Sequence, residues 1–237
     1  MHNPIKTKQI VRNTEAFRGT DWFFTSKGEP RGYIQPESLR ELWFHTGTLC
    51  NLRCPFCFEG SGPGRMRLEC PSEEDVAPFI AEAVELGVEK FSFTGGEPFV
   101  NPHMFAILQR ALQLRPCLVL TNGTEPLRNR LHQLSALKES EHPLSFRISL
   151  DSPDPETHER GRGKGNFKLS LRVMQELLNL GFKVSVATLR DPNGGDFQER
   201  FQAVFREHGL PADIPVVAFP DLLPPESRPE VPEITEN

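Results

Sequence analysis

The chain has 237 residues and a formal net charge of −5, from 27 Lys and Arg against 32 Asp and Glu. It has no block of basic residues suited to phosphate contacts, which argues against a nucleic-acid partner. No apolar run approaches the roughly 20 residues that cross a bilayer, and the first residues lack a signal-peptide core. The five cysteines, an odd number in a chain of this length, argue against a disulfide framework. These features predict a cytoplasmic protein of one domain with short additions.

The N-terminal residues contain two aromatic runs, around Trp22 and Tyr33, on either side of turn-forming residues, a pattern typical of a β-hairpin. After them, short β-type runs alternate with longer helical patterns. Predicted strands span residues 42–47, 90–94, 117–121, 145–150, 183–189 and 214–219. Predicted helices span residues 72–86, 102–114, 126–138, 167–180 and 196–208. Strands that alternate with helices form parallel sheets, so an α/β fold is predicted, as either a Rossmann-like sheet or an incomplete barrel.

The C-terminal residues 221–237 combine prolines with acidic side chains. This composition buries too little apolar surface to fold alone, and we expect an extended segment. The predicted organisation is an N-terminal extension over residues 1–40, an α/β domain over residues 41–220 and this acidic tail. The sequence leaves open whether the tail is complete or is the start of a further region.

Three of the cysteines, Cys50, Cys54 and Cys57, follow the first predicted strand at Cys-x3-Cys-x2-Cys spacing. Three thiolates this close together can hold three corners of a [4Fe–4S] cluster and leave one iron open to a ligand. A structural zinc site is the alternative, with Cys70 or His45 as its fourth ligand, although neither lies in a paired knuckle.

Polar residues follow three further predicted strands at their carboxyl ends. The second strand ends in Thr94-Gly95-Gly96-Glu97-Pro98, the third in Thr121-Asn122-Gly123 and the fourth in Ser149-Leu150-Asp151. Each alone has an ordinary explanation, because Gly-Gly and Asn-Gly form turns and Ser or Asp often caps a helix. In a parallel α/β sheet, however, ligands bind at the carboxyl ends of the strands. The cysteine segment and these strand ends are therefore predicted to form one site.

The cysteine motif, with aromatic Phe56 before its third cysteine, resembles the signature of the radical S-adenosylmethionine (radical SAM) enzymes. The segment Gly95-Gly96-Glu97-Pro98 is similar to the Gly-Gly-Glu-Pro motif of that superfamily, in its usual place after the second strand. A third set resembles the branch that contains the molybdenum-cofactor cyclase and the peptide-modifying maturases: Ser149-Leu150-Asp151, His158, Arg162, Gly163, Gly165 and Phe167. The resemblance extends from about Leu42 to Phe219.

The resemblance implies a partial (β/α)6 barrel with a [4Fe–4S] cluster on Cys50, Cys54 and Cys57. S-adenosylmethionine would chelate the open iron through its amino and carboxylate groups. One electron from a flavodoxin or ferredoxin would cleave this cofactor to methionine and a 5′-deoxyadenosyl radical, which would abstract hydrogen from a substrate. No side chain needs to perform the abstraction, since the cofactor carries the chemistry. The substrate class stays open between a peptide or protein and a small metabolite.

The same resemblance implies a set of cofactor-binding residues: Phe56, Gly95, Gly96, Glu97, Pro98, Asn122, Ser149 and Arg162. The two glycines lack Cβ atoms and let backbone groups approach the methionyl amine, and Glu97 would support that amine or brace the turn. Arg162 offers a planar fork to the methionyl carboxylate, although a solvated loop charge is its ordinary explanation. Asn122 and Ser149 are expected partners of the ribose or the carboxylate, and Phe56 of the adenine.

The cysteine count separates this chain from many peptide-modifying relatives. Those proteins bind auxiliary clusters through a cysteine-rich C-terminal extension, whereas no cysteine follows Cys117 here. Cys117 lies in an apolar run and is predicted to be a core residue. The alternative function, from a different class, is a non-catalytic iron–sulfur or zinc regulator that kept the same scaffold. The Gly-Gly-Glu-Pro segment argues against it, because a metal-binding module has no need of that segment.

Overall fold

The three-dimensional structure is a computed structural model, which describes residues 38–189 and 197–219. The predicted N-terminal hairpin and the acidic tail over residues 221–237 lie outside the described residues, so both stay predictions. Within the described part of the chain, no helix is long and apolar enough to cross a bilayer.

The sheet has six parallel strands: β1 (Glu41–His45), β2 (Lys90–Thr94), β3 (Cys117–Thr121), β4 (Leu144–Ser149), β5 (Lys183–Leu189) and β6 (Val216–Phe219). They lie in chain order, each hydrogen-bonded to the next. A Rossmann-like sheet would instead reverse its strand order about a central switch point. The sequential order is that of a barrel, so the fold is a partial (β/α)6 barrel with β1 and β6 at its edges.

The helices are α1 (Glu73–Glu85), α2 (Met104–Ala111), α3 (Glu125–Arg128), α4 (Leu131–Leu134), α5 (Pro155–Arg162), α6 (Asn166–Asn179) and α7 (Phe197–Glu207). Short 3-10 turns lie at Pro98–Val100 and Ser135–Glu139. Strands β2, β3 and β5 have the predicted bounds, and the other strands with α1, α6 and α7 lie within two residues of theirs. The single helix predicted over residues 126–138 is wrong. The chain forms α3, α4 and a 3-10 turn there, because it leaves helical geometry at Arg130 (φ −108°, ψ 1°).

Helix α5 is absent from the sequence prediction, because its segment is polar and His158 is its one buried residue. Its start signals are nonetheless present. Asp154 accepts a hydrogen bond from Thr157 N at 2.7 Å, and Pro155 lies in the first turn, where a missing N–H costs little. The helix places Arg162 in its last turn. Arg162 therefore lies on a helix and not in a solvated loop.

The two faces of the sheet have different surroundings. In β2, Phe91 and Phe93 are fully buried in the core and pack with Phe44 of β1, at ring-centroid distances of 6.0 and 5.5 Å. Thr94 points to the opposite face, because successive side chains of a strand alternate, and it lines the cavity described below. Cys117 of β3 is buried in the core, as the sequence predicts, and burial raises the pKa of its thiol.

We predict that Asp154→Ala lowers the free energy of unfolding by about 1 kcal/mol, since the first turn of α5 loses its side-chain acceptor. Urea denaturation of the wild type and the variant measures the difference. Asp154→Asn is the matched control, because asparagine caps a helix about as well as aspartate, and it should unfold near the wild-type urea concentration. Equal stability of the alanine variant and the wild type would contradict the capping role.

Candidate active site

The three cysteines lie on the segment between β1 and α1, residues 46–70, here called the cysteine loop. Backbone hydrogen bonds continue the β1–β2 pairing beyond the strand ends: Thr46 N to Thr94 O (2.8 Å), Gly96 N to Gly47 O (2.9 Å) and Glu97 N to Leu49 O (2.9 Å). The buried hydroxyl of Thr48 accepts hydrogen bonds from Arg67 N (2.8 Å) and Leu68 N (3.1 Å), which joins the two arms of the loop. The outgoing and returning arms of the loop are therefore both fixed.

Two glycines at the end of β2 leave room for this loop. A Cβ atom on Gly96 would lie 2.3 Å from the carbonyl oxygen of Leu49, and one on Gly95 would lie 2.7 Å from that of Gly47. Gly95 also has a φ of +151°, a conformation that residues with side chains rarely adopt. Both glycines are thus required for the packing of the cysteine loop against β2. Their contact with a methionyl amine stays a prediction.

The three thiols of the motif are free and half-buried, and they line one cavity of about 270 Å³. Cys50 Sγ accepts a hydrogen bond from Leu52 N at 3.4 Å, and Cys57 Sγ accepts one from Ser61 N at 3.3 Å. Burial raises the pKa of Cys50 to about 11 and also raises the pKa of Cys54. Thiolates at these positions therefore need a cationic partner, as a bound metal centre provides.

Glu97 ties the end of β2 to the end of β3. It is 1% exposed and accepts hydrogen bonds from Thr121 Oγ1 (2.8 Å), Asn122 N (2.7 Å) and Phe99 N (3.1 Å). Burial raises the pKa of this carboxyl, and the three donors act against that shift. Both carboxylate oxygens are thus engaged within the protein. Of the two predicted roles, the structure places Glu97 as a brace of the turn, and support for a methionyl amine stays a prediction.

Asn122 belongs to a closed polar network beside Cys50. Asn51 Nδ2 donates to Thr124 Oγ1 (2.9 Å), which donates to Asn122 Oδ1 (2.6 Å), and Asn122 Nδ2 donates back to Asn51 Oδ1 (2.9 Å). Asn122 Nδ2 also lies 3.8 Å from Cys50 Sγ. The predicted contact of Asn122 with the cofactor stays a prediction. Asn51 and Thr124 are absent from the predicted site. The position of Asn51 directly after Cys50 could have indicated that it lies there.

Arg162 forms a two-pronged ion pair with Asp151, which follows β4. Its Nε lies 2.5 Å from Asp151 Oδ2 and its Nη2 lies 2.8 Å from Oδ1, with side chains 14% and 12% exposed. The guanidinium carbon is 5.8 Å from the ring centroid of Phe56. That ring also fills the space beside Gly161, where a Cβ atom would lie 2.3 Å from it. Phe56 thus joins the cysteine loop to α5, and Asp151 is a site residue that the predicted set omits.

The cavity brings together the three cysteines and six of the eight predicted cofactor-binding residues. Glu97 and Pro98 are the two that do not line it. Glu97 is buried at the junction of the β2 and β3 ends, and Pro98 begins the 3-10 turn that follows it. Leu120 and Leu189 add apolar surface to the lining. The predicted convergence of the strand ends on the cysteine segment is therefore present in the structure.

His45 is engaged by a residue of the cysteine loop. Its Nδ1 accepts a hydrogen bond from Gly47 N (3.3 Å), so its Nε2 donates to Glu59 Oε1 (2.6 Å). In the described part of the chain, no group of three or more His, Cys, Asp or Glu side chains is placed to hold a single metal ion. This holds for the three thiols themselves as well as for His45 and Cys70.

Residues 45–190 match the family model of the Radical SAM superfamily. The chain belongs to the radical SAM superfamily. The predicted membership of this superfamily is confirmed. The [4Fe–4S] cluster and S-adenosylmethionine, which were predicted as cofactors, are those that this superfamily uses. The residues present fit them, because Cys50, Cys54 and Cys57 offer three free thiols to one cavity whose remaining wall carries Arg162 and Asp151.

Two relatives match most of the described domain: one acts in bacteriocin biosynthesis and the other is a cyclase. The chain is 34% identical over 190 residues to the antilisterial bacteriocin subtilosin biosynthesis protein AlbA of Bacillus subtilis, covering 79% of this chain and 40% of AlbA. It is 27% identical over 184 residues to a GTP 3′,8-cyclase of Alkaliphilus oremlandii, covering 74% of this chain and 54% of the cyclase. The chain thus spans about half or less of the length of these relatives.

Solved structures share the fold. The crystal structure of Streptococcus suis SuiB bound to S-adenosylmethionine superposes with a TM-score of 0.63 at 18% identity, covering 78% of this chain and 42% of SuiB. At this identity the likeness concerns the fold, and it confirms the partial barrel that the strand order indicates.

We predict that Gly96→Ala lowers the free energy of unfolding by about 2 kcal/mol, because the added methyl group meets backbone atoms that cannot rotate away. Urea denaturation provides the measurement. Gly62→Ala, in the cysteine loop, is the control, since a Cβ atom there would have its nearest neighbours at 3.6 Å. The prediction fails if both alanine variants unfold at the same urea concentration.

We also predict that Glu97→Gln costs about 2 kcal/mol of stability, because the amide NH2 would face a buried donor that then lacks an acceptor. The exposed Glu89, one residue before β2, provides the control Glu89→Gln, which should change the unfolding free energy by less than about 0.5 kcal/mol. Thermal or urea unfolding of the two variants and the wild type measures both changes in stability. A Glu97→Gln protein as stable as the control would show that the three contacts of Glu97 contribute little.

Proposed function

We propose that this chain is a radical SAM enzyme that cleaves S-adenosylmethionine reductively and uses the resulting 5′-deoxyadenosyl radical to abstract hydrogen from a peptide. The observation that carries the proposal is the single cavity in which three free thiols face Asp151 and Arg162. Cys50, Cys54 and Cys57 would hold three irons of the [4Fe–4S] cluster and leave the fourth open. When bound, the cluster supplies the one electron that cleavage of the cofactor requires.

Arg162 is the residue proposed to bind the methionyl carboxylate. Asp151 takes its Nε and Nη2, so the guanidinium plane is fixed, and Nη1 has no partner among the described residues. Asp151 is itself held in place, since its backbone carbonyl accepts a hydrogen bond from Thr188 Oγ1 at 2.9 Å. A carboxylate in the cavity would thus meet a donor that is already oriented.

The remaining lining residues are proposed to bind the nucleoside part of the cofactor and to exclude water. Phe56, Leu120 and Leu189 supply apolar surface, with the Phe56 ring proposed as the contact for adenine. Ser149 and Asn122 line the same cavity and are proposed to hydrogen-bond the ribose. A water-poor cavity limits side reactions of a carbon radical.

Two comparisons support a peptide as the substrate. AlbA is named for the biosynthesis of a bacteriocin, and a further SuiB structure is described as bound to its precursor peptide SuiA, with a TM-score of 0.60 at 15% identity. A small metabolite is the second candidate, favoured by the likeness to GTP 3′,8-cyclases. The electron donor is proposed to be a flavodoxin or a ferredoxin.

The test begins with anaerobic reconstitution with iron and sulfide, followed by addition of dithionite and S-adenosylmethionine. We expect about four irons per chain and release of 5′-deoxyadenosine, measured by chromatography. The triple variant Cys50→Ala, Cys54→Ala, Cys57→Ala should lose both the iron and the release. Cys70→Ala, which changes the half-buried cysteine at the end of the cysteine loop, is the control and should retain both. Bound zinc without release of 5′-deoxyadenosine would support the alternative of a non-catalytic metal-binding regulator.

A further inference from the structure

The solvent side of the cysteine loop carries three exposed arginines, Arg53, Arg65 and Arg67. Arg53 Nε and Arg65 Cδ lie 3.7 and 3.6 Å from the position that a Cβ atom on Gly62 would take. Arg67 Nη2 lies 3.6 Å from the corresponding position on Gly60, two residues earlier. None of the three forms an ion pair with a carboxylate in the part of the chain that the structure describes. The same loop also carries Glu59, which pairs with His45, and the exposed Glu69, so in a chain with a net charge of −5 its solvent side has more exposed arginines than carboxylates.

Large apolar side chains stand among these arginines. Phe58, Met66 and Leu68 are 82%, 55% and 55% exposed. Exposed apolar groups beside unpaired charges are typical of a surface that binds another protein, with the apolar groups at the centre of the contact and the charges at its rim.

This surface lies close to the cysteine sulfur atoms. Arg65 Nη1 donates a hydrogen bond to Gly60 O (3.2 Å), and the next residue, Ser61, donates its N–H to Cys57 Sγ (3.3 Å). Gly60 N donates in turn to Cys57 O at 2.9 Å. A molecule in contact with Arg65 would be separated from the Cys57 sulfur by one turn of backbone.

We propose that this surface, formed by Arg53, Phe58, Arg65, Met66 and Arg67 and here called the donor face, docks an acidic one-electron carrier protein. The inference rests on the proposed function, which requires an electron to reach the cysteine-held centre. The reduced carrier transfers one electron to the cysteine-held centre and is thereby oxidised. That electron is consumed as S-adenosylmethionine is cleaved to methionine and a 5′-deoxyadenosyl radical.

Charge and distance together favour a carrier protein over other acidic partners. Complementary charge steers the encounter between two proteins and fixes their relative orientation, and it weakens as salt screens it. An acidic peptide would be attracted by the same arginines, but it gains nothing from the short path between the donor face and Cys57. Peptide binding at this surface is therefore the competing outcome of the test.

The test compares the wild type with the charge-reversed variant Arg53→Glu, Arg65→Glu, Arg67→Glu. Titration calorimetry with oxidised flavodoxin at low salt should show affinity weakened about tenfold or more, and the wild-type affinity should fall as salt is raised. The control Lys168→Glu, Arg172→Glu, Arg206→Glu makes the same change in net charge at exposed positions of α6 and α7 and should bind like the wild type. In turnover without substrate, the donor-face variant should lose about tenfold or more of the 5′-deoxyadenosine formed with reduced flavodoxin. Its formation with dithionite should stay within about twofold of the wild type.

Equal flavodoxin affinity in the wild type and the donor-face variant would overturn the proposal. So would a variant that binds flavodoxin normally but loses affinity for a polyglutamate peptide, which would assign the surface to an acidic peptide. If charge reversal lowers the iron content, the milder Arg53→Gln, Arg65→Gln, Arg67→Gln variant replaces it, and unchanged flavodoxin binding at full iron content then decides against the donor face. A wild type that binds flavodoxin yet releases no 5′-deoxyadenosine with dithionite would contradict the proposed function and leave the docking surface standing.

Discussion

The buried carboxylate of Glu97 is the contact on which the site depends. It accepts hydrogen bonds from Thr121 and Asn122 at the end of β3, while the backbone N–H of Glu97 donates to Leu49 in the cysteine loop. One residue therefore joins β2, β3 and the cysteine loop. Burying a carboxylate costs several kcal/mol unless its oxygens are used, so any arrangement that removes one of these donors is disfavoured. The carboxylate contacts therefore fix Glu97 against β3, and its backbone N–H in turn holds the loop at Leu49.

A second contact holds the loop from the side of α5. The ring of Phe56 lies against Gly161 and beside Arg162, as the backbone of Leu49 lies against Gly96 on the other side. In both places the protein fills a space that a Cβ atom would occupy, because a glycine stands opposite. The main role of Gly96 and Gly161 is therefore to let two segments of the protein pack closely against each other. The shape of the cavity follows from these two contacts.

The sequence predicts the elements of this fold better than their arrangement. Strands β2 and β5 alternate apolar with polar residues and β3 is an apolar run, and all three have clear ends, so their bounds follow from local pattern. Strand order cannot be predicted this way, because a Rossmann-like sheet and a barrel share the same alternation and differ in which strands pair. The ion-pair partner of Arg162 could not be predicted from the sequence either. Asp151 precedes it by eleven residues and meets it only because the polar segment between them folds as α5.

His158 shows how burial on α5 controls charge near the cavity. It lies one turn before Arg162 and packs edge-on against Phe167 at 5.6 Å, and neither ring nitrogen has a hydrogen-bond partner among the described residues. Burial lowers the pKa of this imidazole to about 4, against the opposing effect of Asp151, so it is neutral near pH 7. A protonated ring here would repel the Arg162 guanidinium and compete with it for Asp151. Because the ring stays neutral, the negative charge of Asp151 remains available to hold Arg162 in place at the cavity wall.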